Sequence, residues 1–217
     1  MTIHLCFHGI GVIEREREPG ESRYWVTESS FHRILDVIPT DTDVTLSFDD
    51  GNRSDADIAL PALLERGQDA TFFALAGRLD DAASLGPDDL RRMLEAGMRI
   101  GNHGWAHVPW RGLSGEDARR EFVDARTALE EASGTTITQA ALPLGRYDRQ
   151  VLRHLKDAGY QAVFTSDRFP AIGTAWLRPR YSITATDTAE SVARILTRGL
   201  GIDDAIRLGK SLIKRLR

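Results

Sequence analysis

Cysteine is almost missing from this chain: Cys6 stands alone among 217 residues. A single thiol can build neither a disulfide framework nor a C-x-x-C zinc cluster, so any metal here has to be held by imidazole and carboxylate. Long apolar runs are missing too, since no stretch approaches the roughly 18 residues of a membrane-spanning helix. The opening Met1-Thr2-Ile3-His4-Leu5-Cys6-Phe7-His8 lacks a basic segment ahead of an apolar run. It reads as a first strand, not a signal peptide, and the expected location is the cytoplasm. Nor is there an excess of positive charge: the net charge of −4 gives no general attraction to nucleic acid, which is not expected as a partner. Low-complexity tracts and long linkers are absent as well. With 41% apolar and 28% charged residues the composition is that of a globular protein, of a size that one hydrophobic core can serve.

What is present is a regular alternation. After the first strand, Gly11 to Ser22 is charged and contains Pro19 and Gly20, which predicts a loop over one end of the fold. Phe31, Ile34, Leu35 and Ile38 recur at helical spacing within Thr27 to Ile38. Further helices are expected over Asp55 to Arg66, Pro87 to Ala96, Ser114 to Ala132 and Asp148 to Ala158, three of them followed directly by a glycine. Between them lie short strand-like segments at Val44 to Phe48, Ala70 to Leu75, Met98 to Ile100, Thr138 to Leu142 and Gln161 to Thr165. Such alternation predicts βα units and a mainly parallel sheet with right-handed crossovers. Periodicity does not choose between an open sheet and a barrel. In either, ligands gather at the carboxyl ends of the strands, where the polar motifs of this chain fall.

Two motifs carry chemistry. Ser47-Phe48-Asp49-Asp50-Gly51 places two adjacent carboxylates at the end of an apolar strand. Successive strand side chains diverge, so one acid can ligate a metal while its neighbour contacts water; an Asp-Gly turn is the plain alternative. His103-Gly104-Trp105-Ala106-His107 carries two histidines four residues apart, a spacing that lets both reach one ion if a helical turn joins them. No glutamate follows His103, so the H-E-x-x-H pattern of metalloproteases is excluded. Two imidazoles and one carboxylate, Asp50 with His103 and His107, suit a catalytic zinc with an open water position, and cobalt or nickel fit the same donors. Asp49 is then left as a base. Such a site polarises a carbonyl and lowers the pKa of water to about 7, which points to metal-assisted hydrolysis of an amide.

On these residues the chain resembles a NodB-like polysaccharide deacetylase of carbohydrate esterase family 4. Leu46-Ser47-Phe48-Asp49-Asp50-Gly51 stands for the family's T-F-D-D-G motif and His103 to His107 for its H-[ST]-x-x-H motif, in the family's order. Ala70-Thr71-Phe72-Phe73 matches the strand between them. The resemblance covers about residues 1 to 185, the expected catalytic domain, with 186–217 a helical extension packed on it. It implies an irregular (β/α) barrel that removes N-acetyl groups from an N-acetylated carbohydrate, with a divalent metal at Asp50, His103 and His107. It further implies that Asp49 acts as the base and that Pro143-Leu144-Gly145 form the oxyanion turn of the R-x-P-x-G motif.

Three departures mark a divergent branch. Ala141 occupies the arginine position of that third motif, leaving Arg146, Arg178 or Arg180 to orient the base, with Arg180 the first choice because it ends a late strand-like segment. No histidine follows His154, so the late leucine-histidine pair that provides the family's general acid is absent. Leu5-Cys6-Phe7-His8-Gly9 resembles the opening of the exopolysaccharide-assembly branch, which makes His8 the candidate acid. Gly104 replaces the serine or threonine whose hydroxyl braces the histidine loop. Trp105, Trp110 and Trp176 are candidates to stack on sugar rings, or are ordinary packing. Hydrolysis of another amide, such as N-formyl, ureide or sugar-nucleotide, and carbohydrate binding without turnover are the alternatives. In the tail, a helix is expected over Thr188 to Leu200, and basic and aliphatic residues mix from Arg207 to Arg217. That last segment suits either a packed terminal helix or one lying on an anionic membrane near a lipid-linked substrate.

Overall fold

Seven parallel strands close on themselves in a computed structural model that describes residues 1–39, 43–171, 175–199 and 201–217. The chain opens with β1 (Ile3–Phe7), two short strands β2 (Gly9–Ile10) and β3 (Trp25–Val26), and α1 (Glu28–Asp36). β4 (Val44–Asp50) leads through a π-helical turn, Asp55–Ala59, into α2 (Leu60–Glu65). β5 (Ala70–Ala74), α3 (Pro87–Glu95) and β6 (Arg99–Asn102) follow. Then α4 (Gly115–Arg119) and α5 (Ala125–Ser133) form one run joined by a second π turn, Arg120–Asp124. The chain continues through β7 (Gln139–Ala141), α6 (Arg149–Asp157), β8 (Ala162–Thr165) and β9 (Leu177–Ser182) to α7 (Ala189–Thr197) and α8 (Ile202–Leu216).

β9 pairs with β1, placing Arg180 beside His4 and Ser182 beside Cys6, so the barrel order β1-β4-β5-β6-β7-β8-β9 has no free edge. The expected barrel is the observed one. The sequence-based boundaries hold to within a few residues, and the end of the expected helix at Leu200 lies outside the described residues. The β2–β3 pair was not foreseen, because two residues per strand leave no period to read. It bounds the Gly11 to Ser22 loop. No helix among the described residues is long and apolar enough to cross a membrane.

Strand alternation builds two cores. On the outside of the barrel, Phe48 stacks on Phe7 at 5.4 Å and on Phe72 at 4.8 Å, with Phe31 of α1 edge-on to Phe7 and Phe48. α1 forms here because Thr27 caps it, its hydroxyl accepting from the Ser30 N–H, and because Phe31, Ile34 and Leu35 share one buried stripe. Phe73, Ala141, Ala162 and Phe164 form a separate small cluster. The Arg180 guanidinium lies 5.3 Å from the Phe73 ring centre and 5.6 Å from that of Phe164. Because neighbours on a strand face opposite ways, Ser47 and Asp49 of β4 share the Arg180 side while Leu46 and Phe48 face the helices.

Gly101 of β6 is required by this packing, since a Cβ there would collide with the Phe73 ring. Gly101→Ala should therefore destabilise the fold by about 1–3 kcal/mol through overpacking. A lowered urea midpoint with unchanged m-value would show it; an unchanged midpoint would mean that the ring moves aside freely.

Candidate active site

The polar motifs meet at the carboxyl ends of β1, β4, β6 and β7, around a cavity of about 180 Å³. His8, Glu18, Glu21, Tyr24, Asp49, Asp50, Arg78, His103, His107, Leu144, Gly145 and Arg180 are among its walls. Asp49 and Asp50 diverge at the end of β4, Asp49 toward Arg180 and Asp50, at φ +77°, toward the histidines. Among the described residues four non-glycines have positive φ, and three of them, Asp50, His107 and Leu144, sit in this cavity. Left-handed backbone costs most residues free energy and persists where surrounding contacts over-determine it.

Asp50 Oδ1 lies 3.4 Å from His103 Nε2 and 3.3 Å from His107 Nε2, and has no hydrogen-bond partner despite being buried. Atoms bound tetrahedrally to one ion at 2.0–2.1 Å stand about 3.4 Å apart. An orphaned buried oxygen flanked by two imidazole nitrogens at that separation fits a zinc-like divalent ion. Each histidine has its other nitrogen engaged: His103 Nδ1 is 3.0 Å from the Ala141 carbonyl, and His107 Nδ1 is 2.6 Å from Glu18 Oε1. These bonds leave both Nε2 atoms free to ligate. Burial opposes the charge on Asp50, but His103, His107 and His8 outweigh it and hold the carboxyl far below the usual range. Cys6, His8 and Asp49 also approach one another within 4.8 Å, but one acceptor position on each of the two Asp49 oxygens is already taken.

They are taken by Arg180, whose Nη1 and Nη2 each donate at 2.6 Å, Nη1 also reaching the Ser47 hydroxyl at 3.0 Å. Of the three candidate arginines only Arg180 is buried against Asp49; Arg146 is exposed and Arg178 lies over Phe164. Burial works against ionisation of Asp49, and the Arg180 guanidinium and His103 overcome it, so the carboxyl stays below its ordinary pKa.

Gly104 has a reason that the sequence does not show. The loop after β6 is held by Glu121, a buried carboxylate on the second π turn, which accepts from the N–H groups of Trp105 at 2.8 Å and Ala106 at 3.0 Å and from Trp110 Nε1 at 3.2 Å. At φ +92° a Cβ on residue 104 would meet Glu121 Oε2. Asn102 Oδ1 accepts from the Gly104 N–H at 2.7 Å. The brace expected from a hydroxyl comes from Glu121 and Asn102.

Leu144, at φ +54°, and Gly145 line the cavity, whereas Pro143 is buried and starts the turn without lining it. His8 lies at the wall with its ring 4.8 Å from that of Tyr24 and its buried Nδ1 unpartnered. Burial lowers its pKa against the pull of Asp50 and Asp49. Of the two readings of Trp105, Trp110 and Trp176, ordinary packing is the one observed, and none of the three lines the cavity. Trp110 is wholly buried, Trp176 Nε1 donates to the Tyr160 carbonyl, and Trp105 packs under Arg120, so the aromatic wall is Tyr24. Glu18 and Glu121 went unrecognised because the first sits in an irregular charged loop and the second on a helix full of charges.

Residues 36–163 match the family model for polysaccharide deacetylase, more than half of the chain, and the protein belongs to that family. The chitooligosaccharide deacetylase of Rhizobium leguminosarum bv. trifolii is 30% identical over 127 residues, which cover 58% of this chain and 57% of the relative. The peptidoglycan-N-acetylmuramic acid deacetylase PdaC of Bacillus subtilis is 31% identical over 121 residues, covering 55% of this chain and 25% of that one. The chain thus spans from a quarter to little more than half of these relatives. Among solved structures, Streptococcus pyogenes deacetylase PplD in complex with acetate has a TM-score of 0.79 at 19% identity, covering 91% of this chain and 98% of that one. IcaB from Ammonifex degensii has a TM-score of 0.72 at 20% identity, covering 91% and 97%. These likenesses show the same barrel.

Glu18 makes a testable contribution. Glu18→Gln keeps the shape but weakens the hold on His107 Nδ1, and a partner of this kind is typically worth 10–100-fold in metal affinity. Calorimetric titration of the metal-free protein with zinc should show a loss in that range. Unchanged affinity would reduce Glu18 to a loop tether.

Proposed function

We propose that this chain is a metal-dependent hydrolase that removes the acetyl group from an N-acetylated sugar, oligosaccharide or polysaccharide precursor. The observation that carries the reading is the convergence of Asp50 Oδ1, His103 Nε2 and His107 Nε2 beside a carboxylate, Asp49, held ionised by Arg180. Asp50, His103 and His107 would hold a divalent ion, zinc by ligand type, which would supply a Lewis acid for the amide carbonyl and make water nucleophilic near neutral pH.

The chain's own groups do the rest. Asp49 takes a proton from the attacking water, and Arg180 keeps it ionised and fixes its plane through two parallel hydrogen bonds. The Leu144 N–H, on a turn in left-handed conformation, donates to the oxygen that becomes negative as the carbonyl carbon turns tetrahedral. His8, a neutral imidazole within 4.8 Å of Asp49, passes the proton that Asp49 took from water to the departing amine as the C–N bond breaks, releasing acetate and a free amino sugar. Tyr24 offers a ring face to the sugar. Carbohydrate binding without turnover rests on the missing third-motif arginine and the missing late histidine; the Arg180–Asp49 contact answers the first, and the second leaves this reading as the alternative.

Acetate release from N-acetylated oligosaccharides tests the reading. Chelation should abolish release and added zinc restore it, while Asp49→Asn, which strands the buried Arg180 charge, should lower it by about 10²–10⁴-fold in the protein that remains folded and zinc-loaded. Release that survives both treatments would sink the mechanism. His8→Gln should lower kcat while zinc affinity stays at the wild-type value; a parallel loss of zinc would instead make His8 part of the metal site.

A further inference from the structure

Helix α8 is docked the wrong way round for a terminal helix that merely completes the core. Asp204 and Ser211 are its buried residues, and its ties to the body are polar. Ser211 Oγ meets the Tyr147 hydroxyl at 2.9 Å, Lys214 Nζ meets Asp167 Oδ1 at 2.6 Å and the Gly145 carbonyl at 3.3 Å, and Asp204 pairs with Arg198 at 2.6 Å. Four of its six large aliphatic residues point the other way. Ile202, Ile206, Ile213 and Leu216 are 83%, 52%, 59% and 80% exposed. At 3.6 residues per turn these four fall within about 80° of helix circumference, opposite Asp204 and Ser211. Leaving four large aliphatic side chains in water on one stripe is unfavourable unless something covers them.

Charge selects what covers them. From Ile202 to Arg217 there are five cations against two acids, the exposed Asp203 and the buried Asp204, in a chain whose net charge is −4. Arg207 and Lys214 turn inward to bond the Arg168 carbonyl and Asp167, while Lys210 and Arg217 are exposed and border the stripe within about 40° of Ile206. A second copy of this chain meeting the stripe symmetrically would bring the same cations face to face. We infer that α8 seats the protein on an anionic phospholipid bilayer, the aliphatic stripe entering the headgroup boundary and Lys210 and Arg217 meeting lipid phosphates. Because Lys214 is bonded to the Gly145 carbonyl, this seating holds the Leu144–Gly145 wall of the cavity within about one helix diameter, 10–12 Å, of the bilayer. A membrane-attached acyl-amino sugar is then within reach, whereas the binding itself does not depend on the proposed reaction.

Co-sedimentation of the full chain with phosphatidylcholine vesicles, with and without phosphatidylglycerol, tests the inference. Binding to the anionic vesicles alone is expected, weakening with added salt, and falling about tenfold or more in the Ile206→Ser, Ile213→Ser double variant. The double variant should keep the wild-type thermal midpoint, which separates lost binding from lost folding. Failure to bind either vesicle overturns the inference, as does equal binding by the double variant. A wild-type dimer in light scattering that the double variant dissociates would also overturn it, in favour of a second copy.

Discussion

The site depends on one ion pair closed inside the barrel. Asp49 and Arg180 are 131 positions apart, both almost wholly buried, and joined by two hydrogen bonds of 2.6 Å. Neither charge is tolerable there without the other, since breaking a buried pair by removing one partner costs roughly 3–5 kcal/mol. The pair exists only if β9 returns to lie beside β1, the step that closes the barrel. Closure of the fold and ionisation of the proposed base are thus one condition. Phe73 and Phe164, flanking the guanidinium, make its surroundings dry and strengthen the interaction.

The rest of the site is arranged by two further carboxylates, Glu121 behind the histidine loop and Glu18 at the cavity wall. Glu121 gathers the N–H groups of the loop after β6 and so sets the separation of His103 and His107. Glu18 reaches from the loop between β2 and β3 to His107, and is itself paired with Arg78 at 3.0 Å. The roof of the cavity and one proposed ligand of the metal are therefore coupled through a single side chain. Left-handed backbone at Asp50, His107 and Leu144 is the conformational cost of aiming these groups inward, and the braces are what sustain it.

The third-motif turn joins the site to the end of the chain. Lys214 bonds the Gly145 carbonyl and, through Asp167, reaches the Tyr147 hydroxyl and Thr165. The extension after residue 185 is thus in contact with the cavity wall, and its outward aliphatic stripe belongs to the same rigid helix.

Much of this was legible along the chain because it is local. Alternating strands and helices follow from periods of 2 and 3.6, and the pairs Asp49–Asp50 and His103–His107 are recognisable because each lies within one turn or strand end. The choice of barrel over open sheet came from resemblance to a family, not from periodicity. Non-local facts were out of reach. Which arginine meets Asp49, why residue 104 must be glycine, and that Glu18 and Tyr24 share a wall with His107 and His8 all depend on strand closure and loop placement. A charged side chain in a sequence of mixed charges carries no mark of its partner. The sequence alone determined the proposed metal donors and the proposed base as chemical types at readable spacing, and the tertiary structure alone decided their orientation, because that is set by contacts between segments tens of residues apart.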